Sequence, residues 1–480
     1  MLRRFGAGVL GVGAGAAGIE AARFACFDKS EQHTLSTALT QFCLFDALRI
    51  GSWFARRRHD ADCANFPEVQ AELLRSRLAA NRDTVYGREH NFQTIMGSND
   101  VVDAYRSSHP LTRPDHYQSY VAQILAGDEA VLNAEAETML AATSGTSGQR
   151  NILPYTPTMG RTFFSKGIIV IFDTLLQACP AAFGLQKTCK LAFEPVFEVS
   201  PGGLRIGPNS SGPREGKSFQ RLLPLYSTPA AGYAIPNDEY AALYVHALFA
   251  LRDRNLGIIE ANFVSLPARL LRLIHRDGDA LADDLAGGEL GQAVANRLPP
   301  TTVSALNEAL GGPQPQRAAE VRSAIGEGRH GLARRLWPKL RLFNANGTGA
   351  FATYAAKLRA AEGEGVPVIS TLLAASEGLI GVSLSGGVNG NPPGPSVDGH
   401  ATYCLVPGAM FFEFLPVVPA EDPVAHRDHV VGGGGASGGG GPGGGAGGGA
   451  SAGSVDDGGS GGSGGGVSGG DSSRYDGTLL

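Results

Sequence analysis

Cysteine is scarce and never clustered. The six residues, Cys26, Cys43, Cys63, Cys179, Cys189 and Cys404, include no pair with the short spacing of a zinc or redox motif. A chain of 480 residues is also far too long to depend on a disulfide scaffold. Free and mostly buried thiols in a reducing compartment are expected. Positive charge shows no excess: a formal net charge of −5 argues against a nucleic-acid-binding surface spread over the whole chain. Long apolar runs are missing as well. The uncharged stretch from Phe5 to Ile19 falls short of the roughly 20 residues that a membrane-spanning helix needs.

What is present is a globular middle between two glycine-rich ends. A hydrophobic fraction of 43% over this length supplies a large core and two or three domains. The 68 glycines exceed the usual share of about 7% because they gather at the termini. From Val431 to Gly470 the Gly/Ser tract cannot bury apolar surface, so residues 431–480 are expected to form a disordered tail.

At the other end, Arg3 and Arg4 precede the uncharged stretch in the outline of a leader, assigned to residues 1–30. A cleaved leader, an organellar transit segment and a weak membrane anchor all fit it. The same residues contain a decoy. Gly13-Ala14-Gly15-Ala16-Ala17-Gly18 matches G-x-G-x-x-G but lacks the buried strand before it and the second strand after it that a dinucleotide site needs. Gly212-Pro213-Arg214-Glu215-Gly216-Lys217-Ser218 is a second: a P-loop needs four residues between its glycines, and three stand here. A surface loop is expected there.

Between the ends, periodicity alternates between helix and strand. Leu35, Leu39, Phe42, Phe45 and Leu48 recur at helical steps toward Arg58, with Gly51 an early stopping point. Val69 to Asn81 is a second helix with Leu73, Leu74 and Leu78 on one face. Asn81 to Phe92 has the residues of a loop. A helix from Thr158 to Ala178 presents Phe163, Ile168, Ile169, Phe172 and Leu175, and Lys190 to Val199 alternates like a strand. Helix Tyr240–Arg252, strand Leu256–Val264 and helix Leu266–His275 make the alternation of an α/β domain. Polar helices fill Arg276 to Leu336, and Trp337 to Phe343 forms a short strand.

Two stretches carry candidate chemistry. Thr138 to Ala142 is a short apolar strand running into Thr143-Ser144-Gly145-Thr146-Ser147-Gly148. That loop concentrates hydroxyl and backbone N–H donors, and its glycines let a polyphosphate approach the main chain. An ordinary Ser/Thr/Gly turn is the other explanation. Val368 to Ala375 is an apolar strand ending in Ser376-Glu377-Gly378, which puts a carboxylate at a strand tip, where a hard cation such as Mg²⁺ takes oxygen ligands. A solvated surface Glu is the alternative.

The order Ser-Gly-Thr-Ser-Gly followed by Ile152-Leu153-Pro154-Tyr155 resembles the phosphate loop of adenylate-forming enzymes. Its exit is similar to that of the auxin-responsive promoter (Gretchen Hagen three) family of acyl acid–amido synthetases. Asn81 to Phe92, His109 to Asp128, Gly202 to Ser211, Trp337 to Tyr354 and Phe411 to Pro416, read as a strand, resemble further segments of that family. The resemblance covers about residues 70 to 417. It implies a fold in which mixed β-sheets are flanked by helices, as in the large N-terminal domain of adenylate-forming enzymes, here over residues 31–430. It implies ATP and Mg²⁺ as cofactors, and as substrates a small carboxylic acid and an amine or amino acid. By the same resemblance Thr143, Ser144, Gly145, Thr146, Ser147 and Gly148 bind the nucleotide, and Ser376 and Glu377 are catalytic, with Glu377 on the metal. Gly347, Thr348 and Gly349 form a turn that could floor the substrate or nucleotide pocket.

The pattern departs from the family at three places. Leu373 stands where an aromatic usually stacks on adenine, and Asn151 where a lysine is common. No ribose-binding motif or C-terminal domain follows Pro416. A synthetase impaired by truncation is the expectation, and a non-catalytic relative that binds a ligand or partner is the alternative. The expected location is cytoplasmic, or an organelle or endomembrane if the leader acts.

Overall fold

The parallel sheet at the centre is built from short segments whose Cys189, Ile259, Leu342, Phe343 and Val368 side chains are buried. Strands β3 (Thr188–Lys190), β6 (Ile258–Phe263), β7 (Leu342–Asn346) and β8 (Val368–Ile369) lie side by side in that order, all parallel. Parallel neighbours require crossovers, and helices supply them on every return. The computed structural model describes residues 18–143, 151–209, 217–235, 237–384 and 402–415. The chain divides into two units, Met1–Phe412 and Glu413–Leu480. Of the second, only 413–415 are described, and Phe414 and Leu415 there are exposed. Residues 1–17 of the leader and the whole 431–480 tail lie outside the described residues.

The helix Glu239–Leu251 is buried at every position from Ala241 to Leu251. A helix apolar on all sides belongs inside a core, where it meets neighbours all round. Trp337 is fully buried beside it and donates its indole N–H to the Ala250 carbonyl at 2.9 Å. The helix Ser265–Arg276 instead has two faces: Leu270, Leu271, Leu273 and Ile274 turn inward and Arg269, Arg272 and Arg276 outward. A pair of helices, Gly278–Gly287 and Pro315–Gly326, packs on the same core. They meet closely enough that a Cβ on Gly278 would lie 2.5 Å from Ile325 Cδ1.

Two smaller sheets complete the strands. In the first, β1 (Met139–Ala142) pairs antiparallel with β2 (Ile152–Tyr155) and parallel with β5 (Arg205–Gly207), which pairs antiparallel with β4 (Glu198–Val199). In the second, β10 (Gly378–Val382) lies between β9 (Leu372–Ala375) and β11 (Cys404–Leu405), antiparallel to both. Mixed sheets flanked by helices are the architecture the resemblance implies.

Several local expectations need correction. The first long helix runs Leu35–Ala64 straight through Gly51, because one helix-interior glycine costs only about 1 kcal/mol. Its inward face is Ala38, Gln41, Ser52 and His59, whereas Leu35 and Leu39 are exposed. That face is set by polar anchoring: Gln41 Nε2 donates to the carbonyls of Gly184 at 3.2 Å and Gln186 at 2.9 Å. The second helix, Phe66–Asn81, buries Leu74 and Leu78 as expected. Asn81 to Phe92 contains the helix Val85–Glu89, capped by Thr84, whose hydroxyl accepts from the Gly87 N–H at 2.9 Å.

Residues 157–178 are helical, but a π-helical turn at Phe163–Ile168 adds a residue to one turn and rotates the remainder of the helix. Gly167, Val170, Ile171, Asp173, Thr174 and Leu175 are the buried set: Leu175 is buried as expected, whereas Phe163, Ile168, Ile169 and Phe172 are only half-buried. The strand expected over Lys190 to Val199 is two pieces, β3 and β4, with no strand between them, and the strand at Trp337 starts only at Leu342. No strand covers Phe411 and Phe412. Buried Gln70 holds this segment instead, donating to the Pro407 and Met410 carbonyls and accepting the Phe412 N–H. All six cysteines are free thiols, yet only Cys189 is buried; Cys26 and Cys43 are exposed on helix surfaces. The second decoy overlaps the helix Lys217–Leu222, with residues 210–216 outside the described residues.

The N-terminal stretch from residue 27 onward is tied to the body. Asp28 bridges Lys339 at 2.8 Å and Arg341 at 2.6 Å, and these partners hold its carboxyl below the usual range. Among the described residues, no helix is long and apolar enough to cross a membrane.

Candidate functional site

Strand β1 ends at Ala142 as its composition predicts, and β2 returns from Ile152. The Thr143 N–H donates to the Asn151 carbonyl at 2.9 Å, so the hairpin ladder extends one step beyond the strands. Ser144, Gly145, Thr146, Ser147 and Gly148 lie between these two residues in the chain and fall outside the described residues. Thr143 is thus the described edge of the candidate phosphate loop, half-buried at the tip of β1.

Ser376 and Glu377 form the two-residue turn between β9 and β10, where Ala375 pairs with Gly378. Gly378 has φ of +153°, a conformation essentially confined to glycine, so the Ser-Glu-Gly order is a backbone requirement as well as a chemical one. A register shift between Leu379 and Gly381 bends this hairpin. Its flank packs on the π-helical turn: a Cβ on Gly167 would lie 3.1 Å from Leu379 and 3.5 Å from Leu372. Leu373, at the position of the expected adenine-stacking aromatic, is half-buried opposite Gly381.

One residue joins the two stretches. β5 runs parallel to β1, with Gly207 opposite Ala141, so both strands end at the same edge of their sheet. Two residues beyond β5, Asn209 Nδ2 donates to the Ser376 main-chain carbonyl at 3.1 Å. The hairpin tip is therefore hydrogen-bonded to the segment that leaves the sheet beside Thr143.

The third predicted group sits at the carboxyl end of the parallel sheet. Gly347 directly follows β7, and its N–H donates to Ser370 Oγ at 2.9 Å, while Ser370 directly follows β8. Thr371 closes the same junction, its hydroxyl 3.4 Å from Asn344 Oδ1, and β9 starts at the next residue. The Gly347 turn and the root of the Ser376–Glu377 hairpin therefore share Ser370. Gly347 is a close-packing glycine: a Cβ there would meet the Ala355 Cβ at 2.9 Å. Thr348 donates its N–H and hydroxyl to Asn346 Oδ1 at 3.1 and 2.8 Å, and Gly349 takes a positive φ of +55°.

The Glu377 side chain is exposed and makes no hydrogen bond or ion pair with the described residues, and the Ser376 hydroxyl is equally uncommitted. An uncommitted carboxylate at a strand tip is the right chemistry for a hard divalent cation, which takes oxygen ligands. In the parallel sheet, Lys190 on β3 forms an ion pair with Glu260 on β6 and lies over the Tyr226 ring at 5.8 Å. Burial pushes the Tyr226 hydroxyl up to about 12. No signal in the sequence marks the partners of Asn209, Ser370, Lys190 or Glu260, because each partner lies far away in the chain. Two surface cavities of about 670 and 560 Å³ share Arg272 and Arg329, and none of the predicted site residues among the described ones lines either.

Known proteins share this framework. The model of the GH3 family N-terminal domain matches residues 55–368. A probable indole-3-acetic acid-amido synthetase, GH3.1 of Oryza sativa subsp. japonica, is 27% identical over 380 residues, 76% of this chain and 59% of that protein. The indole-3-acetic acid-amido synthetase GH3.17 of Arabidopsis thaliana is 25% identical over 364 residues, 74% of this chain and 56% of that protein. The chain thus spans less than two thirds of the length of these relatives. Among solved structures, a GH3.15 acyl acid amido synthetase superposes with a TM-score of 0.63 at 22% identity, covering 74% of this chain and 60% of that one. The same synthetase in complex with 2,4-DB gives 0.60 at 21% identity, covering 72% and 57%.

Proposed function

The chain belongs to the GH3 family, and from that premise we propose that it descends from, and retains the nucleotide edge of, an ATP-dependent acyl acid–amido synthetase. In that reaction a carboxylate oxygen of the acid attacks the α-phosphorus of ATP. A C–O–P linkage forms as the bond to pyrophosphate breaks. An amine nitrogen then attacks the acyl carbon, AMP leaves with the bridging oxygen, and the amine gives up a proton as the amide forms.

The observation that carries this reading is the Asn209–Ser376 hydrogen bond. It sets the acidic hairpin tip beside the strand end from which the hydroxyl-rich loop departs. Ligands of open α/β sheets commonly sit outside the carboxyl ends of parallel strands, and the roots of this hairpin and of the Gly347 turn are both there. On this reading the N–H and hydroxyl donors of residues 143–148 receive the phosphates, and Ser376 and Glu377 face them from the opposing tip. Mg²⁺, when bound, supplies charge neutralisation at the phosphate oxygens, and Glu377 is the residue that would hold it. The Gly347–Gly349 turn borders the substrate side. The acid and the amine or amino acid are small molecules.

The direct test is acid-dependent exchange of labelled pyrophosphate into ATP with a panel of aryl and alkyl carboxylic acids. Exchange that is lost in Glu377→Gln supports the proposal. ATP binding without exchange for any acid would instead identify a ligand-binding relative, and absence of both would discard the nucleotide site.

A further inference from the structure

Away from the nucleotide edge, the fold collects three soft-metal donors that the sequence keeps far apart. His59 and Cys63 stand one helical turn apart on the helix Leu35–Ala64, at the i, i+4 spacing that points two side chains to the same side. Cys404 opens β11, 341 positions after Cys63. The Cys63 and Cys404 sulfurs are 3.6 Å apart, and Cys63 Sγ is 3.5 Å from His59 Nε2. All three ligand atoms lie within 4.8 Å of one another. His59 is buried and both thiols are half-buried.

The Cys63–Cys404 and Cys63–His59 separations are those of ligands around one tetrahedral ion. With Zn–S near 2.3 Å and Zn–N near 2.05 Å, a tetrahedral centre spaces two sulfurs about 3.8 Å apart and a sulfur and a nitrogen about 3.5 Å apart. A disulfide needs the sulfurs at about 2.05 Å, so the two thiols would have to close considerably, and it would leave His59 without a role. Two thiolates and an imidazole select a borderline or soft ion such as zinc over magnesium, which prefers oxygen.

We propose that His59, Cys63 and Cys404 form a zinc-class metal site, with no fourth His, Cys, Asp or Glu grouped with them among the described residues. This site is independent of the synthetase reading. β11 is hydrogen-bonded to β10, with Cys404 opposite Val382, so the ion ties the sheet that carries Ser376 and Glu377 to the first long helix. It would cross-link the chain much as a disulfide does, across a long loop.

The test loads the reduced, EDTA-dialysed full chain with Co²⁺ and then with Zn²⁺. One Co²⁺ per chain, with intense tetrahedral d–d bands and a thiolate-to-cobalt charge-transfer band that equimolar Zn²⁺ displaces, is the expected result. Cys63→Ser and Cys404→Ser should each weaken binding by more than about a hundredfold, beyond what loss of an outer-shell partner costs. Cys179→Ser should leave it unchanged. X-ray absorption of the zinc-loaded wild-type chain should show two sulfur ligands per ion, a readout that does not depend on how the variants fold. A zinc shell of oxygen and nitrogen alone, substoichiometric cobalt, or a Cys63–Cys404 disulfide in the chain as isolated would each overturn the proposal.

Discussion

The side-chain amide of Asn209 donates to the main-chain carbonyl of Ser376 at 3.1 Å, joining residues 167 positions apart. This bond fixes the tip of the β9–β10 hairpin against the segment leaving β5. The position of Glu377 is set through its neighbour's backbone, while its own carboxylate has no partner among the described residues.

Asn209→Ala removes that donor. The expected cost is about 1 kcal/mol of stability, the usual net value of one such bond, with a rise in KM for ATP if the nucleotide binds at this edge. Urea denaturation and pyrophosphate exchange measure the two effects. An unchanged urea midpoint would show that the hairpin is held by other contacts.

Glu377→Gln separates chemistry from folding. The side chain is exposed and without a partner among the described residues, so stability should stay within about 0.5 kcal/mol of the parent. Exchange should fall by about 10²-fold, as when one preorganised electrostatic contact to a transition state is lost. Full activity in this variant would remove Glu377 from the site.

Two glycines predict opposite signs. Gly378→Ala forces a side chain onto a backbone at φ +153° and should cost about 1–3 kcal/mol. Gly51→Ala lies in the interior of a continuous helix with nothing within 4 Å of the new methyl. It should stabilise the chain by about 0.5–1 kcal/mol. Thermal melts of both variants suffice, and a stabilising Gly378→Ala would contradict the described turn.

Acid should weaken the fold before the carboxylates titrate. Burial, and next the nearby His90, hold His109 down to about 4, where its Nε2 is 2.7 Å from the Tyr86 hydroxyl and His116 also approaches that hydroxyl. Burial, then the charge of Lys187, holds His33 to about 4 as well. Both are ordinary near 6.5 in the unfolded chain. The unfolded state therefore takes up these protons first, and stability falls as pH drops from about 6.5 to about 4, then levels for these two groups. Urea midpoints across that window measure the slope, and His109→Gln should reduce it by the His109 share, leaving the His33 contribution. A midpoint that holds steady over the window would show that neither histidine is held neutral by the fold.

Much of the fold is legible where local chemistry and tertiary packing agree. The β1 strand ending at the hydroxyl cluster, the helices at Phe66 and Glu239, and the carboxylate at the end of a strand all follow from periodicity and turn residues that need no distant partner. The departures share a cause. On the Leu35–Ala64 helix, apolar spacing finds Phe45, which packs on Phe183, but not the buried anchor Gln41, whose carbonyl partners lie 143 and 145 positions away. Over Thr158–Ala178 it finds Leu175 but misses Val170, Ile171 and Thr174, because one π-helical turn rotates everything after it. The phenylalanines at 411 and 412 are held by Gln70 where a strand ladder is expected.

By itself the sequence determined the helix Glu239–Leu251 and the strand Ile258–Phe263 of the central α/β core, and where donors and an acidic tip occur along the chain. It did so because apolar spacing, glycine and capping residues act within a few positions of one another. Only the tertiary structure decided that Asn209 meets Ser376, that Gly347 and the hairpin root share Ser370, and that His59, Cys63 and Cys404 converge. Those contacts join residues 23 to 345 positions apart, and no periodicity records a distance that is created when separate elements pack.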